Sequence, residues 1–183
     1  MVRRTGADTK QEILSAATRL FGDFGYRGTS LADIAHEIGY CKASVLYHFA
    51  SKEALLAELV APVEVDLHAL LVRVSALPLA RARRSAIEGY ADLTVTHRAT
   101  VAVLLTEEPL ALQDPRLRLY ERLVEVLQGE ERDTQARVAA IMVIVGIAAA
   151  CTEYSDLPPA QLRPALVAVA LRTLGLPADS PPG

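Results

Sequence analysis

The chain is poor in cysteine: Cys41 and Cys151 are the only two in 183 residues. A disulfide scaffold is therefore excluded, and two isolated thiols suit a reducing compartment. Tryptophan is absent and aromatic residues make up 5% of the sequence, although 51% of it is hydrophobic. Ala, Leu and Val carry that apolar half, and they favour packed helices over sheets. Long apolar runs are missing too. The longest uncharged stretch, from Val138 to Thr152, is bounded by Arg137 and Glu153, short of the ~20 residues a membrane helix needs. No apolar core of a signal peptide follows Met1-Val2-Arg3-Arg4. These absences lead us to expect a cytoplasmic protein with no membrane partner.

An excess of basic charge is lacking as well. Nineteen Lys and Arg face 22 Asp and Glu, a formal net charge of −3, which excludes a simple polybasic nucleic-acid binder. Placement is more informative than the sum. Residues 1–60 hold seven basic and seven acidic side chains, and residues 61–183 hold the other twelve basic and fifteen acidic ones. The three lysines, Lys10, Lys42 and Lys52, all fall in the neutral first part. The apolar content excludes intrinsic disorder, and the length suits one domain or a small module joined to a larger one.

Periodicity indicates helices throughout, with no strand-type alternation. Ile13, Leu14, Ala17, Leu20, Phe21 and Phe24 form one apolar stripe. Asp8 or Thr9 is the expected N-cap of that helix, and Gly25 its stop. Ser30 with Asp33 three residues later reads as a variant capping box for a second short helix ending at Gly39. A third helix spans about Lys42 to His48. Ser51 caps a fourth, in which Pro62 predicts a kink or early break near residue 61. Further helices are expected over about 79–97, 116–127, 134–154 and from Pro158-Pro159 onward. A break falls between Pro109 and Pro115, and the tail over 177–183 is expected to be disordered. We divide the chain into 1–52, 53–176 and this tail.

Two short capped helices meeting at Ile38-Gly39-Tyr40 make a helix-turn-helix pattern. Small side chains at the start of the second helix would let it approach base edges closely. Backbone N–H groups at the starts of the second, third and fourth helices could receive phosphates.

The residues from Thr9 to Leu56 also resemble a known family. The run T-K-x-x-I-L-x-A-A-x-x-L-F (Thr9–Phe21) is followed by G-Y-x-x-T-S (Gly25–Ser30), D-I-A-x-x-I-G (Asp33–Gly39) and F-x-S-K-E-A-L-L (Phe49–Leu56). Together they resemble the DNA-binding domain of the tetracycline-repressor (TetR) family of transcriptional regulators. The resemblance implies an all-α fold of about nine helices: an N-terminal three-helix DNA-binding domain and a helical effector-binding and dimerisation domain. It implies a homodimer bound to a near-palindromic double-stranded operator and released by a small, largely apolar effector.

By that resemblance, Lys42, Ala43 and Ser44 read bases, with Cys41 beside them at the helix start. Tyr47 and His48 clamp phosphates, and Thr29, Ser30 and Lys52 touch the DNA backbone. Family members usually carry Ser or a similar residue where Cys41 stands, and an aromatic where Leu46 stands. Tyr90, His97, Tyr120 and Tyr154 are candidates for the polar groups of the effector cavity. The stretch Val138–Cys151 is apolar nearly all round, so its helix must be buried on most sides, and pairing with a second copy achieves that. Ile141, Met142, Val145, Ala149, Leu162, Leu166 and Val169 are the expected interface.

The same motif would serve an activator, a regulator without an effector, or a helical binding module that kept the motif without its use. His68, His97, Cys151, Glu107 and Glu108 lack metal-ligand spacing. No nucleophile elbow or phosphate loop appears, so we expect neither a metal, nor a cofactor, nor an enzyme.

Overall fold

The structure, a computed structural model, describes residues 6–106 and 115–177, and among these it is all-α. In chain order the helices are α1 (Gly6–Gly28), α2 (Leu31–Glu37), α3 (Lys42–His48), α4 (Lys52–Ser75), α5 (Leu79–Thr96), α6 (Arg98–Thr106), α7 (Pro115–Gln128), α8 (Thr134–Glu153) and α9 (Pro159–Thr173). The expected tail over 177–183 lies outside the described residues except for Pro177, as do Glu107, Glu108 and Pro109.

Packing divides the chain into two compact units, with the division at Pro62 rather than between residues 52 and 53. The segment beginning at Ala102 returns to the first unit. In that unit, α1, α2, α3 and the start of α4 surround Ile13, Phe21, Ile34, Val45 and Leu55, each wholly buried, and Val103 from α6 joins them. Burial of such side chains contributes about 1.5–3 kcal/mol each.

Local chemistry explains the element ends. Asp8 lies within the first turn of α1, since the helix already begins at Gly6, so neither it nor Thr9 is the cap. Gly25 breaks α1 with φ 75° and ψ 159°, a backbone that only glycine adopts without strain. Ser30 and Asp33 form the expected reciprocal cap of α2: Ser30 N donates to Asp33 Oδ2 at 2.8 Å, and Asp33 N donates to Ser30 Oγ at 3.2 Å. Gly39, with φ 73°, makes the turn between α2 and α3. Ser51 Oγ accepts from Ala54 N at 3.1 Å and opens α4.

Two expectations are corrected. Of the kink or early break expected near residue 61, the break does not occur: α4 continues through Pro62 to Ser75. Pro62 faces solvent, where an unpaired carbonyl one turn earlier can be hydrated, while buried Leu59, Val60 and Val63 hold the helix on either side. A separate helix, α6, also follows α5 directly after the His97 cap.

In the second unit, α5 packs with α7, α8 and α9. Its core includes Leu71, Val74, Ile87, Leu123, Leu127, Ile144, Ile147 and Leu171. Gly89 on α5 meets α4 so closely that a Cβ there would lie 2.4 Å from Leu70 Cδ1. Asp133 caps α8, its Oδ1 accepting from Ala136 N at 2.7 Å. By length and composition α8 could cross a membrane, yet Arg137 on it is paired with Glu121 at 2.7 Å and one side of the helix is packed into this core.

Candidate nucleic-acid interface

Helix α3 is held from one side only. Val45 is fully buried and Phe49 nearly so, and they anchor it to α1 and α2 through the apolar core. The opposite side carries Lys42, Ala43, Leu46 and Tyr47, all exposed, with Tyr47 at 86% and Leu46 at 42%. Among the described residues no hydrogen bond or ion pair engages the Lys42 side chain. A tyrosine so exposed has no packing reason to stand there, whereas a base or phosphate would supply a partner.

Ser44 and His48 are half-buried behind this face. With Thr9, Tyr40, Ala43 and Tyr47 they line an open recess. Tyr47 and His48 meet edge to face at 5.2 Å. Thr9 and Tyr40 come from α1 and the turn, and no spacing rule links them to α3, so sequence reasoning missed them.

Cys41 precedes α3 and is exposed, its Sγ 3.2 Å from Ser44 Oγ. Hydrogen bonding to the Ser44 hydroxyl and then to its backbone N–H holds the Cys41 thiol below the ordinary thiol range.

Two expected contacts prove to be engaged elsewhere. Thr29 is 3% exposed, and its hydroxyl donates inward, 3.0 Å from both Leu20 O and Gly25 O. Its side chain therefore holds the kinked end of α1 and faces inward. Lys52 Nζ donates to Tyr26 O at 2.8 Å and to Thr29 O at 3.0 Å, and lies 4.0 Å from the centroid of the Tyr26 ring. Ser30 remains exposed; its oxygen accepts from Asp33 N, which leaves its proton available to a phosphate.

The second unit separates the four effector candidates. Tyr90 and Tyr120 both pack against its core, and burial pushes each phenol up, with Tyr120 and Cys151 acting electrostatically on Tyr90. Among the described residues the Tyr90 hydroxyl has no hydrogen-bond partner. His97 does not join them: its Nε2 lies 2.7 Å from Asp66 Oδ2. Tyr154 is also elsewhere, 54% exposed at the end of α8. It borders a groove of about 310 Å³ between α8 and α9.

The expected interface residues divide in the same way. Met142, Val145 and Val169 are exposed large apolar side chains, at 62%, 47% and 53%, and Ala149 is exposed beside them. Leu162 and Leu166 are 3% and 7% exposed, inside the protomer's own core, and Ile141 packs partly against it. The apolar face of α9 turns inward at those two leucines, so they support the outer surface from beneath.

A small helical unit with a capped, glycine-turned helix pair and an outward-facing recognition helix defines the class: a helix-turn-helix DNA-binding domain. Residues 13–59 match the family model described as bacterial regulatory proteins, tetR family. These residues are thus similar to the DNA-binding segment of that family. The match to the HTH-type transcriptional regulator RutR of Escherichia coli K12 is 52% identical over 46 residues, 25% of this chain and 22% of that protein. The biofilm operon icaADBC negative transcriptional regulator IcaR of Staphylococcus aureus Newman is 46% identical over 46 residues, 25% of each chain. The chain thus spans about a quarter of the length of these curated relatives. The whole fold is similar to a TetR transcriptional regulator family member from Streptomyces coelicolor A3, with TM-score 0.73, 22% identity and 89% of each chain covered.

Proposed function

We propose that the protein is a homodimeric, DNA-binding transcriptional repressor that docks α3 in the major groove of a near-palindromic operator and is released by a small, largely apolar effector. The outward face of α3 carries this reading: Lys42, Ala43 and Tyr47 stand exposed on a helix whose inner face is fixed by Val45. Lys42 supplies the cation for a guanine edge or a phosphate, and Tyr47 with His48 supplies backbone contacts. The exposed Ser30 hydroxyl adds a further backbone contact. Repression is supported by the likeness to IcaR, a negative regulator.

A dimer is supported by the uncharged outer side of α8. Val138, Met142, Val145, Gly146 and Ala149 share it, and all are exposed. Such a patch suits a self-complementary two-fold interface, with small residues allowing close approach. Two copies would then present their recognition helices to half-sites about 34–36 Å apart. An apolar effector with one hydrogen-bonding group is supported by Tyr90, whose unbonded hydroxyl lies in the apolar interior of the second unit. Release requires that the effector bind the DNA-competent and incompetent states unequally. A DNA-binding protein of this kind would work in the cytoplasm.

The test is selection of duplexes from a random pool by the wild-type protein, followed by affinity measurement across a salt series. Enrichment of a two-fold-related pair of half-sites supports the reading, and failure to enrich any duplex refutes it. Lys42→Ala should weaken binding and lower the slope of log K against log salt by ~1.

A further inference from the structure

We propose that Lys52 is a positioning residue for DNA binding, one that fixes the turn before α2 in place of holding a phosphate. The inference rests on the DNA-binding reading above and concerns how that surface is built. A lysine ammonium has three N–H donors. Two of them already point at the carbonyls of Tyr26 and Thr29, at 2.8 and 3.0 Å, and the charge lies over the Tyr26 ring. Tyr26 is tied to the same helix start a second time, its hydroxyl donating to Glu53 Oε1 at 3.2 Å. The Tyr26 carbonyl also accepts from Thr29 N at 3.3 Å. The first two residues of α4 thus clamp the chain between the Gly25 kink and the Ser30 cap.

The Tyr26 ring also seats that turn on the core, meeting Phe21 edge to face at 5.2 Å, whereas its backbone carbonyls are held by Lys52. Gly25 ends the regular helix ahead of it, and Thr29 secures only its far end through Leu20 and Gly25. Directly after it, Ser30 caps α2, and α2 packs on α3 through Leu31, Ile34, Ala35 and Val45. The turn therefore sets the seat of α2, and the α2–α3 pair carries Ser30, Lys42 and Tyr47 as one piece. Only the third N–H is left to a phosphate, and a closer contact would have to draw the ammonium off two carbonyl oxygens and an aromatic face, all of which favour the cation where it is.

Contact and positioning leave different signatures in salt. Removing a phosphate contact lowers the slope of log K against log salt by ~1, because one fewer counterion is released. Loss of a positioning bond lowers affinity at every salt concentration and leaves the slope unchanged. The experiment uses the full-length protein and the duplex that the wild type selects from a random pool. Lys52→Met keeps the apolar stem and removes the donors. Lys52→Gln removes the charge but keeps an amide that can donate to the turn carbonyls. Melting followed by circular dichroism establishes that each variant is folded at the assay temperature, and Lys52→Gln stands in should the Met variant unfold.

We expect Lys52→Met to bind about tenfold more weakly throughout the series, with the wild-type slope, and Lys52→Gln to recover much of that loss. The backbone amide resonances of Thr29 and Ser30 should move in Lys52→Met and return toward their wild-type positions in Lys52→Gln. A slope lower by ~1 in both variants makes Lys52 a phosphate contact and overturns the proposal. Equal weakness of the two variants overturns it as well, since charge and not donation would then be what matters. A wild type that selects no duplex refutes the DNA-binding reading itself, whereas a normal wild type with flattened variants refutes only this assignment.

Discussion

Replacing Thr29 by valine isolates a single buried hydroxyl. The two side chains have nearly the same shape, so Thr29→Val leaves packing in place and removes one donor. In the wild type that donor lies 3.0 Å from the carbonyls of Leu20 and Gly25, on a residue 3% exposed. Leaving a buried acceptor unsatisfied costs about 1–3 kcal/mol. One proton serves the two carbonyls, so a value near the middle, about 1.5–2 kcal/mol, applies. The added methyl group returns at most about 0.8 kcal/mol through burial. A net loss of about 1 kcal/mol remains. With a urea dependence of roughly 1–3 kcal/mol per molar, the unfolding midpoint should fall by about 0.3–1 M. The assay is urea titration followed by helical circular dichroism, paired with the salt series on DNA. Duplex affinity should fall no further than the loss of stability implies, because the side chain faces inward, and the salt slope should stay at the wild-type value, because no charge is removed. An unchanged or higher urea midpoint would refute the capping role. A wild-type midpoint together with weaker duplex binding at every salt concentration would put the hydroxyl back on a phosphate.

Two further outcomes follow from other parts of the molecule. Met142→Arg places a charge at the centre of the uncharged outer side of α8, where burial against the same residue of a second copy sets two cations together. Light scattering at micromolar concentration should then show a monomer with wild-type helicity, and a persistent dimer would remove α8 from the interface. Cys41 should be alkylated with a pH midpoint below that of an ordinary thiol, because the Ser44 hydroxyl and N–H favour its thiolate. Ser44→Ala should move the midpoint upward, and an unshifted profile would show that the Cys41–Ser44 contact does not form in solution.

The first unit was the more legible part of the chain. Several of its boundaries are marked by a residue with a local reason to be there: Gly25 and Gly39 for their positive φ, Ser30 with Asp33 for the reciprocal cap, Ser51 for α4. Side-chain direction was less legible. Thr29 next to a cap suits a DNA contact or an inward bond equally well, and the Gly25 kink, a tertiary matter, decides for the second. Lys52 reads from sequence as an available cation; only folding brings the Tyr26 and Thr29 carbonyls to it. In the second unit the difficulty was apolar abundance. Leu162, Leu166 and Val169 lie on one helix and look alike in pattern, yet the two leucines fill the core and Val169 faces out. Pro62 misled for a related reason, since buried neighbours on both sides carry α4 past it. α6 was missed because neither glycine nor proline separates it from α5.

The lysine distribution has a practical side. Lys10 is paired with Glu58 and lies 5.5 Å from the Phe49 ring centroid. Lys52 is held by the turn carbonyls, and beyond residue 52 there are no lysines. Lys42 is left as the side-chain amine most open to acylation, and it sits on the surface assigned to the operator. A mild amine reagent thus becomes a footprinting tool for this protein: the same adduct marks the reading helix when it is bare, and its disappearance under bound duplex reports occupancy one helix at a time.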